Sequence, residues 1–464
     1  MKQSNNRFLE GNLLTNIVRY TIPIILTSVL QLLFNAADLV VVGQFCGSVS
    51  VAAVSATGAI TMLIINLFIG LSIGAGVVVA QGYGCKDERM VHRTVHTTIP
   101  AALISGIFLT VAGILLSRPL LQLMGTPDEV IGLSTLYMQI YFGGITFNML
   151  YNFSASILRA VGDTKSPLIF LSISGVINVG LNLIFVTQFH MNVAGVALAT
   201  TISQAVSAVL VLIVLMRRTD MCRLNLRKMR IYSTQLKKII SIGLPAGIQG
   251  SLFSISNVLI QSSVNSFGPV VMSGNGAAGN IEGFVYVSIN AFQQTAVNFT
   301  GQNVGAGNYK RVWRIFWICL GCVSAVGLFA GALAFSFGKQ LLSIYINDSA
   351  EAITYGILRM SYICLPYFLC GIMDVSTGAL RGMGASIVPM IISVLGVCGI
   401  RILWISTIFQ IPAFHSPASL YISYPISWII TFACQLVAFL YIYKRQARRA
   451  EIPVVADMPD PADR

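Results

Sequence analysis

Three carboxylates stand inside long apolar stretches of this 464-residue chain: Asp38, Glu282 and Asp374. One cation, Arg401, does the same. An ionised side chain in hydrocarbon is costly and by default marks an ion path, a relay or a binding site. Asp38 offers the clearest chemistry. Thr27, Gln31, Asn35 and Asp38 recur at helical spacing and make one polar stripe. Apolar Leu39–Val42 follow, so the carboxylate lies within a helix rather than at its end. Counted from Arg19, it lies roughly 28 Å along the axis. Ser174, Asn178 and Asn182 recur four apart in a later segment, and Thr200 and Thr201 open the next. One carboxylate among amide and hydroxyl oxygens suits a proton or a hard cation such as Na⁺. In the second half, Ser254, Asn257, Gln261 and Asn265 form another stripe, and Asn280, Glu282, Asn290, Gln293, Gln294 and Asn298 follow. A buried guanidinium at Arg401 calls for an acidic partner, and depth along the helices favours Glu282 over Asp374.

Other chemistries lack their parts. No Walker A sequence occurs, so nothing cradles a nucleotide. Gly74-x-Gly76 lies in an apolar helix, where glycine reads as close packing. His92 and His96 are four apart without a third ligand and read as solvated interface residues. Cys319 and Cys322 have no second pair. The chain is therefore expected to be no enzyme and to hold no cofactor and no metal beyond a coupling ion.

The elements that must position these residues are membrane helices. Hydrophobic residues make up 55% of the chain and charged ones 10%, too few charges to cover a soluble surface of this size. Twelve apolar segments can be marked, at 16–42, 53–80, 94–116, 131–154, 166–187, 193–216, 236–265, 273–301, 312–337, 352–378, 386–409 and 418–443. Each can cross the bilayer as a helix. The first is too long for a signal-peptide core and is expected to be retained. Of 29 Lys and Arg, 25 fall on one side of such a topology. Arg118, Lys339 and Arg359 fall on the other. Both termini and the basic stretch 217–238 are expected to be cytoplasmic. The net charge of +13 thus reflects topology, not nucleic acid.

The two halves repeat. Leu158-Arg159-x-x-Gly162, followed by Pro167, recurs 222 positions later as Leu380-Arg381-x-x-Gly384 and Pro389. Gln81-x-x-Gly84 recurs as Gln302-x-x-Gly305. Six helices per half keep both repeats in one orientation, with a pseudo-twofold along the membrane normal. The expected organisation is a lobe over 1–216, a linker over 217–238, a lobe over 239–445 and a flexible tail over 446–464. Asp38 aligns with Ile260, Glu282 with Ile60 and Arg401 with Val179. The scaffold repeats while the charges do not, which points to ion handling in the first half and substrate binding or gating in the second.

With these elements in place, the chain resembles the multidrug and toxic compound extrusion (MATE) transporters over about residues 10–445. The likeness rests on the two six-helix repeats, the paired Leu-Arg-x-x-Gly and Gln-x-x-Gly elements, and Asp38 in Asn35-Ala36-Ala37-Asp38. It implies an all-α, V-shaped antiporter that exports organic, often cationic and amphipathic compounds in exchange for H⁺ or Na⁺. By that likeness Asp38, Asn178, Asn182 and Thr200 form the ion-coupling site. Gln31, Asn35, Asn257, Gln261, Glu282, Asp374 and Arg401 remain as candidates for substrate binding or gating. Asn182 stands where some members have a second carboxylate, and the seventh segment lacks the acid that others carry. In these departures the chain resembles the DinF-like branch more than the NorM-type. A lipid-linked oligosaccharide flippase of the same superfamily is the alternative, but those tend to have a strongly cationic cavity. The expected setting is a monomer in the plasma (inner) membrane, in contact with lipid and small organic molecules.

Overall fold

The computed structural model describes residues 8–346 and 349–451. Twelve spans follow one another: α1 (Leu13–Cys46), α2 (Ser48–Gly84), α3 (Glu88–Leu123), α4 (Asp128–Gly143 with Ile145–Ala160), α5 (Lys165–Leu183), α6 (Asn192–Arg217), α7 (Ser233–Asn265), α8 (Pro269–Gly305), α9 (Tyr309–Ser336), α10 (Ala350–Ile363 with Tyr367–Gly382), α11 (Ile387–Ser393, resuming at Ile400–Ser406) and α12 (Pro417–Glu451). The described residues contain no strand. Nine of these helices are long and apolar enough to span a bilayer, and the bent pairs α4 and α10 make two more. The twelfth, α8, is 37 residues long but carries too many Asn and Gln to pass on hydropathy alone. Part of the tail expected over 446–464 continues α12 to Glu451, and the remainder lies outside the described residues.

The repeated sequence elements are helix punctuation. Gly162 and Gly384 take the left-handed conformation, φ +96° and +82°, which costs glycine nothing. Each lets the chain reverse at the end of α4 or α10. Asp163 N–H reaches Leu158 O at 2.9 Å, and Ala385 N–H reaches Leu380 O at 3.0 Å. These are the closing bonds of a Schellman-type end. Asp87 and Asn308 occupy equivalent N-caps, accepting from Met90 N–H at 2.8 Å and Arg311 N–H at 3.1 Å. α4 bends by 46° at Gly144, and α10 by 44° beside Pro366, which has no N–H to continue a helix. A π-helical turn over Ile184–Gln188 follows α5, and another over Val394–Gly399 divides α11. Such turns re-aim neighbouring side chains.

Two lobes form, α1–α6 and α7–α12. Each carries an apolar interior, centred on Met138, Phe142, Met149 and Phe153 in the first, which Ile239, Ile242 and Val297 of the other lobe join. In the second, Phe316 and Phe439 stack at 3.8 Å. Large apolar residues such as Ile104, Phe108 and Leu115 point outward from α3, as a lipid-facing surface requires. The lobes meet through α2 against α7, with α1 and α2 also touching α8. Glycines allow that approach: a Cβ on Gly70 or Gly74 would overlap the α7 backbone at Gly247 or Ile239. Farther along, Ser251 Oγ donates to Leu63 O at 3.0 Å and Asn66 donates to Ser254 at 3.1 Å. Beyond these contacts a Cβ added to Gly58 would meet nothing from another element within 4 Å, and Asn257 is exposed. The lobes are joined at the end bearing the basic loops and diverge toward the other, forming a V.

The segment between α6 and α7 is fastened to the first lobe. His96 is fully buried, with Nε2 accepting from Asn225 N–H at 3.1 Å. That corrects its reading as a solvated residue: the ring clamps the linker. Thr97 Oγ1 accepts from Tyr232 N–H at 3.1 Å, and Arg218 pairs with Asp220 at 2.6 Å.

Candidate functional site

Each lobe holds one polar cluster, and that of the second reaches Asn66 and Ser254 at the seam. In the first lobe, α1 presents Asp38 to α5 and α6. Asn182 Nδ2 donates to Asp38 Oδ1, and Thr200 Oγ1 donates to Asp38 Oδ2 at 3.4 Å. Asn178 Nδ2 reaches Thr200 Oγ1 at 3.3 Å, and Asn182 Nδ2 also reaches Asn178 Oδ1 at 3.3 Å. All four residues named for ion coupling therefore meet. Thr200 lies two turns inside α6, not at its start. Asn178 and Asn182 are buried and Asp38 is half-buried. No basic residue lies within 4.0 Å of Asp38 among the described residues. Asn182 Oδ1 is buried without a hydrogen-bond partner. A valine cluster of Val41, Val42, Val186, Val193 and Val196 packs beside the site. The arrangement can hold a proton on the carboxyl or a small cation among its oxygens. Among the described residues no three His, Cys, Asp or Glu group together as a transition-metal site would need.

Two other members of the α1 stripe part company with Asp38. Gln31 and Asn35 are exposed, while Thr27 is buried and donates to Pro23 O at 2.6 Å.

In the second lobe, Glu282 on α8 is gripped by Arg359 on α10. Arg359 Nε donates to Oε1 at 2.8 Å and Nη2 to Oε2 at 2.7 Å, a two-pronged ion pair. Arg359 Nη1 donates to Asn275 Oδ1 at 2.5 Å, and Asn275 Nδ2 to Gln261 Oε1 at 2.9 Å. The expected Arg401–Glu282 interaction is thus incorrect. Arg359, assigned from sequence to the far-side loops, lies inside α10 and takes Glu282 first. Arg401 instead lies 3.9 Å over the Tyr424 ring, with Trp428 at 5.8 Å, and its Nε donates to Ser427 Oγ at 3.1 Å. Asp374 is buried, with Oδ2 unpartnered, and faces Asn290 and Arg381. Asn257, Gln261, Glu282, Asp374 and Arg401 all line one cavity of about 630 Å³.

The sequence reading missed Asn275, Arg359, Tyr421 and Tyr424 as partners in this cluster. Arg359 carried a usable signal, since apolar Ile357, Leu358 and Met360 surround it. The aromatic partners carried none, because membrane helices are rich in such residues.

The profile of the MatE family matches residues 23–184 and 245–405, one block in each lobe. The Bacillus subtilis protein named "Probable multidrug resistance protein YpnP" is 28% identical over 388 residues, covering 84% of this chain and 86% of that protein. The Staphylococcus saprophyticus "Multidrug export protein MepA" is 22% identical over 399 residues, 86% of this chain and 88% of its own. A solved structure described as the outward-facing conformation of a multidrug resistance MATE family transporter superposes with a TM-score of 0.86 at 21% identity, over 97% of this chain and 99% of that one. With the matched blocks falling on the two lobes and the whole chain following that architecture, this protein belongs to the MATE family.

Proposed function

We propose that the chain is a secondary antiporter of the plasma membrane that exports organic compounds in exchange for H⁺ or Na⁺. The observation that carries this reading is Asp38: a carboxylate within a membrane helix, held by Asn182 and Thr200, with no basic partner within 4.0 Å among the described residues. A permanent ion pair has nothing to exchange, whereas a lone carboxylate can bind and release a cation on each cycle. The names of the relatives, multidrug resistance and export proteins, support organic compounds as cargo. With the basic loops on the cytoplasmic side, the V opens outward, toward the face where cargo leaves and the driving ion enters.

Coupling requires the ion and the cargo to favour different states of the two lobes. In proteoliposomes with imposed Na⁺ and pH gradients tested separately, one gradient should drive uptake of fluorescent organic compounds, with cationic and anionic probes tried side by side. Asp38→Asn should abolish that gradient-driven transport while the protein remains folded. Asn178→Ala should weaken Na⁺ dependence if Na⁺ is the ion. Wild-type transport against a gradient by Asp38→Asn would end this reading.

A further inference from the structure

We infer that the cavity of the second lobe binds aromatic carboxylates, with Arg401 as the anchor for the carboxylate. This names a substrate class for the transporter proposed above, but rests on different residues. Arg401 is only 4% exposed. Among the described residues its one hydrogen bond is from Nε to Ser427, and no acidic group lies within 4.0 Å. Its two terminal nitrogens keep their donors unspent, and the residue lines the cavity. A buried guanidinium without an acidic partner calls for an anion.

The charges of the lobe interior give the same answer. Glu282 is consumed by Arg359 at 2.7 Å. Asp374 faces Arg381. Among the described residues of the lobe interior Arg401 is left over, a surplus of one positive charge. A monoanion balances that surplus of the lobe interior, while a dianion would bring excess negative charge near Asp374, which lines the cavity together with Arg401.

Geometry selects the kind of monoanion. The Tyr424 ring, 3.9 Å from the guanidinium carbon, occupies one face of Arg401. That leaves the edge of the planar fork to the ligand, which suits two-pronged binding of a carboxylate. Beside it runs a wall of rings. Tyr424 and Trp428 have centroids 5.9 Å apart, Trp428 and Tyr367 5.3 Å, and Tyr367 and Tyr286 6.2 Å. These residues line the same cavity of about 630 Å³, a size that takes a small organic molecule. A carboxylate held at Arg401 lays an attached aromatic ring against that wall.

Titration calorimetry on the purified full-length protein in nanodiscs tests this, with 2-naphthoate, 2-naphthamide and 2-naphthylmethylammonium as probes. Naphthoate should bind at least about tenfold more tightly than its neutral amide, and more tightly than the ammonium. Arg401→Gln should erase the preference for naphthoate over naphthamide, and Arg401→Lys should retain part of it. The wild-type comparison of acid with amide stands by itself if Arg401→Gln does not fold. Equal affinity for acid and amide, tighter binding of the ammonium, or a full preference in folded Arg401→Gln would each overturn the assignment. Equilibrium binding needs no gradient. Loss of coupling at Asp38 and failure of this site are therefore separate results.

Discussion

Glu282 and Arg359 show how one residue decides what a buried charge means. Glu282 is buried and Arg359 half-buried against it, and Arg359 also spends a donor on Asn275. Removing one partner leaves the other charged and desolvated, which costs about 3–5 kcal/mol. Glu282→Gln or Arg359→Met alone should therefore lower the melting temperature of the purified protein sharply. The double variant should recover much of that loss, since no orphaned charge remains. Simple additivity of the two losses in that double-mutant cycle would reject a dominant pairwise role. The same residues mark how much of the site could be read from sequence. The partners of Asp38 were legible because Asn178 and Asn182 recur at helical spacing on a neighbouring helix, and the family resemblance added Thr200. The partner of Glu282 was not, because depth along a helix does not say which way a side chain faces. Arg401 was legible as an anomaly but not in its surroundings, because Tyr424 and Trp428 resemble any other membrane aromatic.

At the scale of elements, the seam between α2 and α7 depends on glycine. A methyl group at Gly70 would overlap the backbone of Gly247, and one at Gly74 would overlap Ile239 O. Backbone cannot step aside as a flexible side chain can, so the helices must separate. Gly70→Ala should destabilise the protein by about 1–3 kcal/mol, the usual cost of overpacking. Gly58 lies on the same helix, and a methyl group added there would meet nothing from another element within 4 Å. Gly58→Ala should be neutral or stabilising by up to about 1 kcal/mol, since alanine is the better helix former. Thermal melts of both variants in one detergent compare the two. Equal shifts would show that helix propensity, not the seam, sets the effect. Hydropathy made most of the spans legible, the repeat pointed to the polar α8 as well, and neither revealed their interruptions. The bends in α4 and α10 and the π-helical turns leave the apolar pattern intact. Pro366 and Gly143-Gly144 were visible as residues, but the apolar run continues through both. The role of the repeated Leu-Arg-x-x-Gly element became clear only when Gly162 and Gly384 proved to have positive φ.

Across the whole molecule the pseudo-twofold builds a reciprocal latch. Gln81, near the end of α2, donates through Nε2 to Gly382 O at 2.9 Å, at the end of α10 in the opposite lobe. Gln302, near the end of α8, donates to Ala160 O at 2.6 Å, at the end of α4. Gly84 and Gly305 remove the side chains that would stand in the way, since a Cβ on either would overlap the carbonyl of Gln302 or Gln81. Each glutamine thus satisfies a helix-end carbonyl of the other lobe, which would otherwise lack a partner. The latch holds the V shut at the end of the basic loops. Alternating access requires it to open, so its bonds set the balance between the two states. Loss of a hydrogen bond that leaves a buried carbonyl unpaired costs about 1–3 kcal/mol. Two such losses shift the equilibrium by at least an order of magnitude. Nitroxide labels on cysteines at Arg89 and Lys310, both exposed, report the separation of the lobes at this end by pulsed electron resonance in a background free of other cysteines. The parent should show a dominant short-distance population. Gln81→Ala with Gln302→Ala should add a longer one, and each single variant should add a smaller share of it. An unchanged distance distribution in the double variant would mean that the glycine seam alone keeps this end closed.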